Sequence, residues 1–389
     1  MNLITDLQNS APEVALAIIG LAAVLIGAII GEGSRLLIRT IAVAALAGAA
    51  VLAAQQYGSG RLEAFGALYV ATPFVAFAKV GLYALAAISL LVSGKSLKEA
   101  AVDRYEYPLL ILFAALGGGV MLSANNLMTL YLGVETLSLP SYVLAAFRRD
   151  HVRSAEAGLK YFVLGALASG LLLYGCSLVY GFTGSASYDV IAEADLSIGL
   201  TFGMVLIIIG LAFKASAAPL HVWTPDVYAG APTPVVTFFA TAPKLAAVAV
   251  FANVMFSAFD GHETDWSPII AIIAALSMII GSLGALTQSS LKRLLAYSSI
   301  ANVGFALIGL AAGVEVGASA ILVYMAIYVV GTLGLFVGLL TIRKDGEPLD
   351  TIDDLNGLAK AKPLVAFGMT VLIFSVAGIP PAAGFWGKL

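Results

Sequence analysis

The stretch KASAAPLHVWTPDVYAGAPTP, residues 214–234, decides how the rest of the chain is interpreted. It starts with a lysine at the end of a long apolar run, and it contains four prolines. Because proline removes a helix hydrogen bond and clashes with the preceding turn, a helix kinks or unwinds here. Such backbone is tolerated in hydrocarbon only where protein or a water-filled cavity lines it. The stretch therefore predicts a helix that breaks inside a membrane, beside a buried charge.

The composition around this stretch indicates a membrane protein. Hydrophobic residues make up 60% of the 389 residues and charged residues only 11%, whereas a soluble domain has about 25% charged residues. A membrane-spanning helix needs about 20 apolar residues, and the chain contains about twelve such runs. The prediction is an all-α polytopic membrane helix bundle, with spans near 13–31, 36–54, 72–93, 107–123, 126–147, 157–182, 197–220, 235–258, 267–289, 293–313, 317–342 and 362–386.

Two features exclude other classes of function. The net charge of −3, with no basic run, argues against a nucleic-acid partner. The single cysteine, Cys176, lies inside an apolar run, so neither a disulfide framework nor a cysteine metal site is expected.

The basic residues alternate between loops and predict the orientation. The odd-numbered loops carry most of them and the even-numbered loops essentially only Arg61, so the positive-inside rule puts the N-terminus on the periplasmic side. Asp6 and Glu13, with no basic residue before the first apolar run, favour a retained helix over a secretory signal. The basic residues of the odd loops are Arg35, Arg39, Lys95, Lys98, Arg104, Arg148, Arg149, Arg153, Lys292, Arg293, Arg343, Lys344, Lys360 and Lys362.

A second break is predicted near the end of the chain. Gly378-Ile379-Pro380-Pro381 interrupts an apolar segment just before Lys388. A pair of broken helices in two halves of a chain is the usual sign of a repeat-built transporter. Because the sequence stops at Leu389 without a polar tail, we expect it to be cut inside or just after a helix.

Several charged residues fall within apolar spans, where lipid disfavours them. A lysine at the bilayer centre costs about 2.5–3.5 kcal/mol, so a group of them needs carboxylates, one another or internal water as partners. The set consists of Lys79, Lys160, Lys214, Lys244, Lys388 and Glu135.

These residues differ in what they predict. Lys214 and Lys244 lie deepest, at or beside the first break, and are predicted to be functional. Lys160 is predicted to pair with Glu135, either as part of a relay or as a static salt bridge. Lys79 lies near a helix end, and we expect it to extend to the headgroups.

Two further residues have open alternatives. Lys292 is either an interfacial anchor beside Arg293 or the start of a hydrated polar stripe with Ser299 and Asn302, which follow at helical spacing. His221 is either a relay imidazole or a polar plug in the unwound segment.

Buried lysines suit proton transfer because their charge responds to neighbours. Burial disfavours the charged form and a nearby carboxylate favours it. A three-unit change in proton affinity is about 4 kcal/mol. Moving one charge against about 200 mV costs about 4–5 kcal/mol. Electrostatic gating of a lysine relay is thus sufficient to drive a proton uphill.

The motifs identify a family resemblance. The segments GVETLSLPSY (133–142), FKASAAPLHVWTPD (213–226), GAPTP (230–234), LKRLLAYSS (291–299) and GIPPAAGFWGK (378–388) resemble the antiporter-like membrane subunits of respiratory complex I. The match runs from about residue 105 to the end. Multisubunit cation/proton antiporters and membrane-bound hydrogenases are related. The segment 226–234, Ala242-Pro243-Lys244 and a terminal lysine at Lys388 are similar to the N-type branch.

The resemblance implies a fold and a set of roles. Residues 1–104 would form N-terminal helices, 105–258 the first antiporter-like repeat and 259–389 an inverted, truncated second repeat of a family with about fourteen helices. Glu135 would be the acidic partner of Lys214, Lys244 the connecting lysine and Lys388 the lysine on the exit side.

The resemblance also implies partners. The chain would be the proton-translocating subunit of a bacterial inner-membrane NADH:quinone oxidoreductase, beside the M-type and small membrane subunits. It carries no flavin, iron–sulfur or nucleotide motif, so NADH, FMN, iron–sulfur clusters and quinone are expected on partner subunits. The alternatives are a subunit of a cation/proton antiporter and a membrane scaffold whose polar residues only lock helices together.

Overall fold

A computed structural model describes residues 3–100, 102–344 and 347–389. Within these ranges the chain is almost entirely helical. The first half contains α1 (Leu3–Asn9), α2 (Ala11–Ile30), α3 (Arg35–Gln56), α4 (Pro73–Glu99), α5 (Glu106–Leu122), α6 (Leu127–Ala145), α7 (Val152–Thr183), α8 (Tyr188–Ala192) and α9 (Ile198–Ala215). The antiparallel strands β1 (Leu62–Ala64) and β2 (Tyr69–Ala71) form a hairpin between α3 and α4.

The second half continues the bundle. It contains α10 (Trp223–Gly230), α11 (Thr233–Phe239), α12 (Ala242–Ser257), α13 (Glu263–Leu286), α14 (Leu291–Ala311), α15 (Val314–Thr341), α16 (Leu358–Ala361), α17 (Pro363–Ala377) and α18 (Ala383–Lys388). Between α15 and α16 lie the paired strands β3 (Arg343–Lys344) and β4 (Glu347–Pro348) and the 3-10 helix Ile352–Leu355.

The helices match the predicted spans. Over the described residues, nine helical stretches are long and apolar enough to cross a membrane. One of these stretches, Ala11–Gln56, contains both α2 and α3, and the apolar helices α5 and α17 are shorter. The prediction of an all-α polytopic membrane bundle is confirmed. The span expected over 197–220 ends at Ala215, because the chain leaves the helix there.

The loops gather at two ends of the bundle. At one end, which we call the acidic end, Ala124 pairs with Tyr69 and Asn126 pairs with Ser187, so the connections before α4, α6 and α8 lie together. Side-chain caps from Thr72, Asn126 and Ser197 begin helices α4, α6 and α9 at this end. The other end, which we call the basic end, carries the arginine- and lysine-rich loops, and Ser290 pairs with Thr351 there.

The interior is built around α12. About 94% of the most apolar part of Thr233–Ser257 is buried, and α12 packs against α4, α5, α9 and α15. Glycines allow the neighbouring helices α5 and α6 to approach backbone to backbone. A Cβ on Gly117 would lie 2.3 Å from the Leu137 nitrogen, and one on Gly133 would lie 2.4 Å from the Met121 nitrogen. Small residues at helix contacts are the usual means of close packing in lipid.

Candidate functional site

The first predicted break lies between α9 and α10, and its backbone groups find partners. Ser216 ends α9 in the left-handed conformation, with φ of 63°. The nitrogens of Ser216 and Ala217 donate back to carbonyls of the last turn of α9, and the Ala218 nitrogen donates to the Ser277 hydroxyl on α13 at 2.8 Å. The unwound segment is therefore stabilised by protein, as buried backbone inside a membrane requires.

Lys244 covers the end of the broken helix. Its Nζ donates to the Ala215 carbonyl at 3.2 Å and to the Ser216 hydroxyl at 2.7 Å, and only 2% of the residue is exposed. The C-terminal carbonyls of a helix carry partial negative charge and favour a cation. The C-terminal end of α9 therefore stabilises the positive charge of Lys244 without a carboxylate.

Lys214, the last charged residue of α9, lies beside Lys244. Its Nζ donates to the buried hydroxyl of Ser138 on α6 and lies 5.5 Å from the centre of the Tyr142 ring. A cavity of about 20 Å³ is lined by both Lys214 and Lys244, together with Tyr161 and Trp223. This volume is enough for one water molecule. One water could therefore connect the two ammonium groups.

Glu135 lies on the same helix as Ser138, but it forms no ion pair with any residue that the structure describes. Its Oε1 is buried and has no hydrogen-bond partner. The predicted pairing with Lys160 is wrong, because Lys160 Nζ contacts Glu156 and Asp226 instead, each at 2.7 Å. A buried carboxylate oxygen without a partner is costly, and an ordered water or a catalytic role is among the explanations for one.

Lys160 and Asp226 belong to a polar opening at the basic end. Asp226 accepts from Lys160 through Oδ2 and, at 2.8 Å, from Arg293 through Oδ1. The opening has a volume of about 370 Å³ and is also lined by Arg153 and Asp350. Asp226 falls inside the motif of the first break, but its role as an ionic partner was not predicted from the sequence. Its position where the chain re-enters a helix, within that motif, could have indicated this role.

His221 lies in the unwound segment between α9 and α10. Its Nδ1 is buried without a partner, and its ring centre is 6.5 Å from that of Tyr297 on α14. Nearby, the Trp223 indole donates to the Phe213 carbonyl at 3.1 Å and stacks on Tyr161. The unpartnered ring nitrogen is compatible with both readings of His221, as a relay and as a polar plug.

Lys292 lies at the start of α14, where its Nζ donates to the Ala231 carbonyl at 3.0 Å. Two polar residues of the predicted stripe are buried along the same helix. Ser299 has an unpartnered hydroxyl, and Asn302 accepts from the Tyr324 hydroxyl at 2.7 Å. The stripe therefore extends into the bundle rather than ending at the surface.

Lys388 repeats the arrangement of Lys244 at the second break. Helix α17 ends at Ala377, Gly378 turns in the left-handed conformation, and α18 folds back. Lys388 Nζ donates to the carbonyls of Val376 and Ala377 at 3.0 and 3.2 Å. A cavity of about 10 Å³ joins Lys388 to Asn302. The polar stripe of α14 therefore reaches the second break.

The predicted position of Lys79 is wrong. Its side chain is fully buried instead of reaching the headgroups, and its Nζ lies 2.6 Å from Glu13. It does not contact the other lysines. Among the residues that the structure describes, no group of three or more His, Cys, Asp or Glu side chains could hold a metal ion.

Comparisons with known proteins agree with this fold. Residues 124–389 match the family model described as NADH:quinone oxidoreductase/Mrp antiporter, TM. NADH-quinone oxidoreductase subunit N of Hirschia baltica is 60% identical over 388 residues, which cover 100% of this chain and 82% of the relative. A chain of respiratory complex I from Thermus thermophilus with bound aureothin has a TM-score of 0.83 and 35% identity, covering 97% of this chain and 81% of that one.

A related complex shares the fold. A chain of the Mrp complex from Dietzia sp. DQ12-45-1b has a TM-score of 0.86 and 26% identity, covering 100% of this chain and 73% of that one. The fold and the lysines that bond to the ends of the broken helices thus define an antiporter-like membrane subunit. Within that class, the chain belongs to the family of NADH-quinone oxidoreductase subunit N.

Proposed function

We propose that this chain moves protons across a membrane as the N-type subunit of an NADH:quinone oxidoreductase. The proton relay would contain Glu135, Lys214, Lys244, His221 and Lys388, with Lys160 and Lys292 near the basic end. Chemistry at the quinone, on other subunits, would change the charge at one end of this line and so drive the protons.

The observation that carries the proposal is the cavity between Lys214 and Lys244. The two ammonium groups line one space with room for a single water. Lys214 lies within electrostatic reach of Glu135, and Lys244 bonds to the Ala215 carbonyl and the Ser216 hydroxyl rather than to a carboxylate. A proton that passes from Lys214 to Lys244 therefore moves away from the Glu135 carboxylate and reaches the group that bonds to the C-terminal end of α9.

The free energy of repulsion between two nearby charges is similar to the free energy needed to move a proton against the membrane potential. Moving one charge against about 200 mV costs about 4–5 kcal/mol. At an effective dielectric constant of about 20, two unit charges about 4 Å apart interact by about 4 kcal/mol. One charge arriving beside a lysine is therefore enough to expel its proton.

The basic end is proposed as the cytoplasmic side of a bacterial inner membrane, with the N-terminus periplasmic. The opening lined by Lys160 and Asp226 would then be the entrance for protons. Asp226, held between Lys160 and Arg293, would keep this entrance hydrated and neutralise its excess positive charge.

Inverted repeats are also proposed, over 105–258 and 259–389. Helix α5 starts at the basic end and α13 starts at the acidic end, as inversion requires. Each proposed repeat contains one broken helix whose terminal carbonyls bind a lysine. The M-type and small membrane subunits are the proposed neighbours, and NADH, FMN, iron–sulfur clusters and quinone would reside elsewhere in the complex.

The proposal is tested with Lys214→Ala in the assembled complex. Proton uptake into inverted membrane vesicles, started with NADH, should be abolished because the relay loses its first lysine. Lys95→Ala is the matched control, since the Lys95 side chain is 86% exposed and should leave pumping unchanged.

Unchanged pumping by Lys214→Ala, in vesicles with a normal amount of assembled complex, would contradict the relay. The likeness to the Mrp chain leaves antiporter activity as a second candidate. That candidate predicts cation-dependent proton exchange without NADH, and it is measured in the same vesicles by adding sodium.

A further inference from the structure

Four buried polar side chains lie together near the acidic end, apart from the line of lysines. The Glu13 carboxylate accepts from the Tyr69 hydroxyl at 2.8 Å and from the Tyr83 hydroxyl at 2.6 Å. Lys79 Nζ lies 2.6 Å from Glu13 and donates to the Tyr69 hydroxyl at 2.6 Å. Lys79 and Tyr83 are fully buried, and Glu13 and Tyr69 are 5% exposed.

The cluster is poorly explained as a static anchor. Taking an ion pair out of water costs free energy that its attraction often fails to return, so apolar residues of similar volume would hold the helices at least as well. Of the two charges, Glu13 is stabilised as an anion by two hydroxyl donors even when Lys79 is neutral. Lys79 is therefore the member of the pair that can change its charge.

Polar groups continue from Lys79 toward the surface. The Tyr69 hydroxyl faces Gln56 and Ser123. Gln56 Oε1 and Ser123 Oγ are both buried and make no hydrogen bond of normal geometry, so each can bind an ordered water. Gln56 Nε2 donates to the Asn9 carbonyl at 2.7 Å, and Asn9 in turn bonds the exposed hairpin at the Glu63 carbonyl.

Only one helix separates this cluster from the line of lysines. A Cβ on Gly119 of α5 would lie 1.8 Å from the Tyr83 hydroxyl and 2.6 Å from Glu13 Oε1, so the missing side chain makes the space for the cluster. Met121 of the same helix lines the cavity between Lys214 and Lys244. Among the described residues, Glu13 is the charged group that interacts electrostatically with Lys79.

We propose that Lys79 is a further proton-binding site, which releases its proton to the acidic end through Tyr69 while Glu13 remains anionic. In the release step one N–H bond of the ammonium breaks and Lys79 becomes a neutral amine. The Tyr69 hydroxyl turns from Glu13 toward water, and in one concerted step it takes up that proton and passes its own to the water. A proton from the line of lysines refills Lys79, so this inference rests on the proposed function.

The test compares two replacements of Lys79 in the assembled complex. Lys79→Arg keeps the ion pair but holds its proton at every working pH, whereas Lys79→Met removes both the charge and the proton. We expect both variants to lose proton release per NADH oxidised, measured in vesicles, with Lys95→Arg as the surface control. A purely structural role predicts that Lys79→Arg pumps like the parent, which would overturn the inference.

A second variant covers the case in which arginine does not fit. Tyr69→Phe keeps Glu13, Lys79 and Tyr83 but removes the hydroxyl link, so it should also lower the ratio of protons to NADH. A parental ratio in Tyr69→Phe overturns the inference. If Lys214→Ala abolishes pumping at the same time, the proposed function stands and only the role of Lys79 is lost.

Discussion

The two broken helices use the same device in different surroundings. Lys244 bonds to the end of α9 inside the bundle, where 2% of its surface is exposed. Lys388 bonds to the end of α17 through two backbone carbonyls, whereas Lys244 bonds to one carbonyl and to the Ser216 hydroxyl. An ammonium group can therefore complete a broken helix with or without a side-chain partner. The hydroxyl at the first break can itself donate and accept a proton.

The largest expected effect comes from removing these two lysines. Lys244→Ala should abolish NADH-driven pumping, because it removes both the second lysine of the cavity and the donor to Ala215 and Ser216. Leaving those buried acceptors unpaired costs about 1–3 kcal/mol. Lys388→Ala should reduce pumping only in part, since it leaves the cavity between Lys214 and Lys244 intact. Initial pumping rates in vesicles measure the difference.

Both variants need a check of assembly by native gel. Equal and complete loss in the two variants, at normal assembly, would contradict this ranking of the two breaks.

An intermediate effect should appear at the turn of the second break. Gly384→Ala would put a Cβ 1.8 Å from the Ser375 carbonyl oxygen, so α18 could no longer pack on α17. We expect a loss of about 1–3 kcal/mol in stability, measured as a lower thermal midpoint of the complex. Gly368→Ala, in the same region with no atom within 4 Å, is the control and should gain about 0.5–1 kcal/mol. A Gly384→Ala variant as stable as the parent would mean that α18 can move freely.

The smallest expected effect is on the local stability of the connection before α17, when Asp354 is replaced. Asp354 accepts from the backbone nitrogens of Thr351 and Asp350, and these hydrogen bonds lower its pKa from 3.8 to about 2. A lowered carboxyl pKa stabilises the connection above pH 3.8 and loses this contribution as the pH falls toward about 2. Asp354→Asn should therefore speed hydrogen exchange at the Thr351 amide near neutral pH. Variant and parent should converge only below about pH 2, and a difference that persists well below it would contradict the assignment.

The membrane bundle and both breaks could be predicted from the sequence because their signals are local. Apolar runs of about 20 residues report the spans, and proline beside glycine reports the breaks at 214–234 and 378–381. Lysines next to those breaks stood out because lipid disfavours them. The contact of Lys244 with Ala215 was not predictable, because it depends on how α12 turns toward α9.

The ion pairs could not be predicted for a related reason. A Cβ on Gly158 of α7 would lie 2.4 Å from Ala146, just after the end of α6, so the two helices are level there. At 1.5 Å per residue, Lys160 lies about 3 Å from this level along α7, whereas Glu135 lies about 17 Å from it along α6. Helices α6 and α7 therefore carry Glu135 and Lys160 at different depths, and Lys160 pairs with Asp226 instead.

Lys79 was expected to reach the headgroups because its partner, Glu13, belongs to another helix that the local pattern does not reveal.

The partners of the first break also constrain how the protein is made. Ser216 bonds a lysine 28 residues later in the chain, and Ala218 bonds a serine 59 residues later. At roughly 5–20 residues per second, a ribosome needs about 3–12 s to synthesise the second of these partners. A newly inserted α9 must therefore keep its polar end beside the translocon or in contact with water until α12 and α13 have entered the membrane.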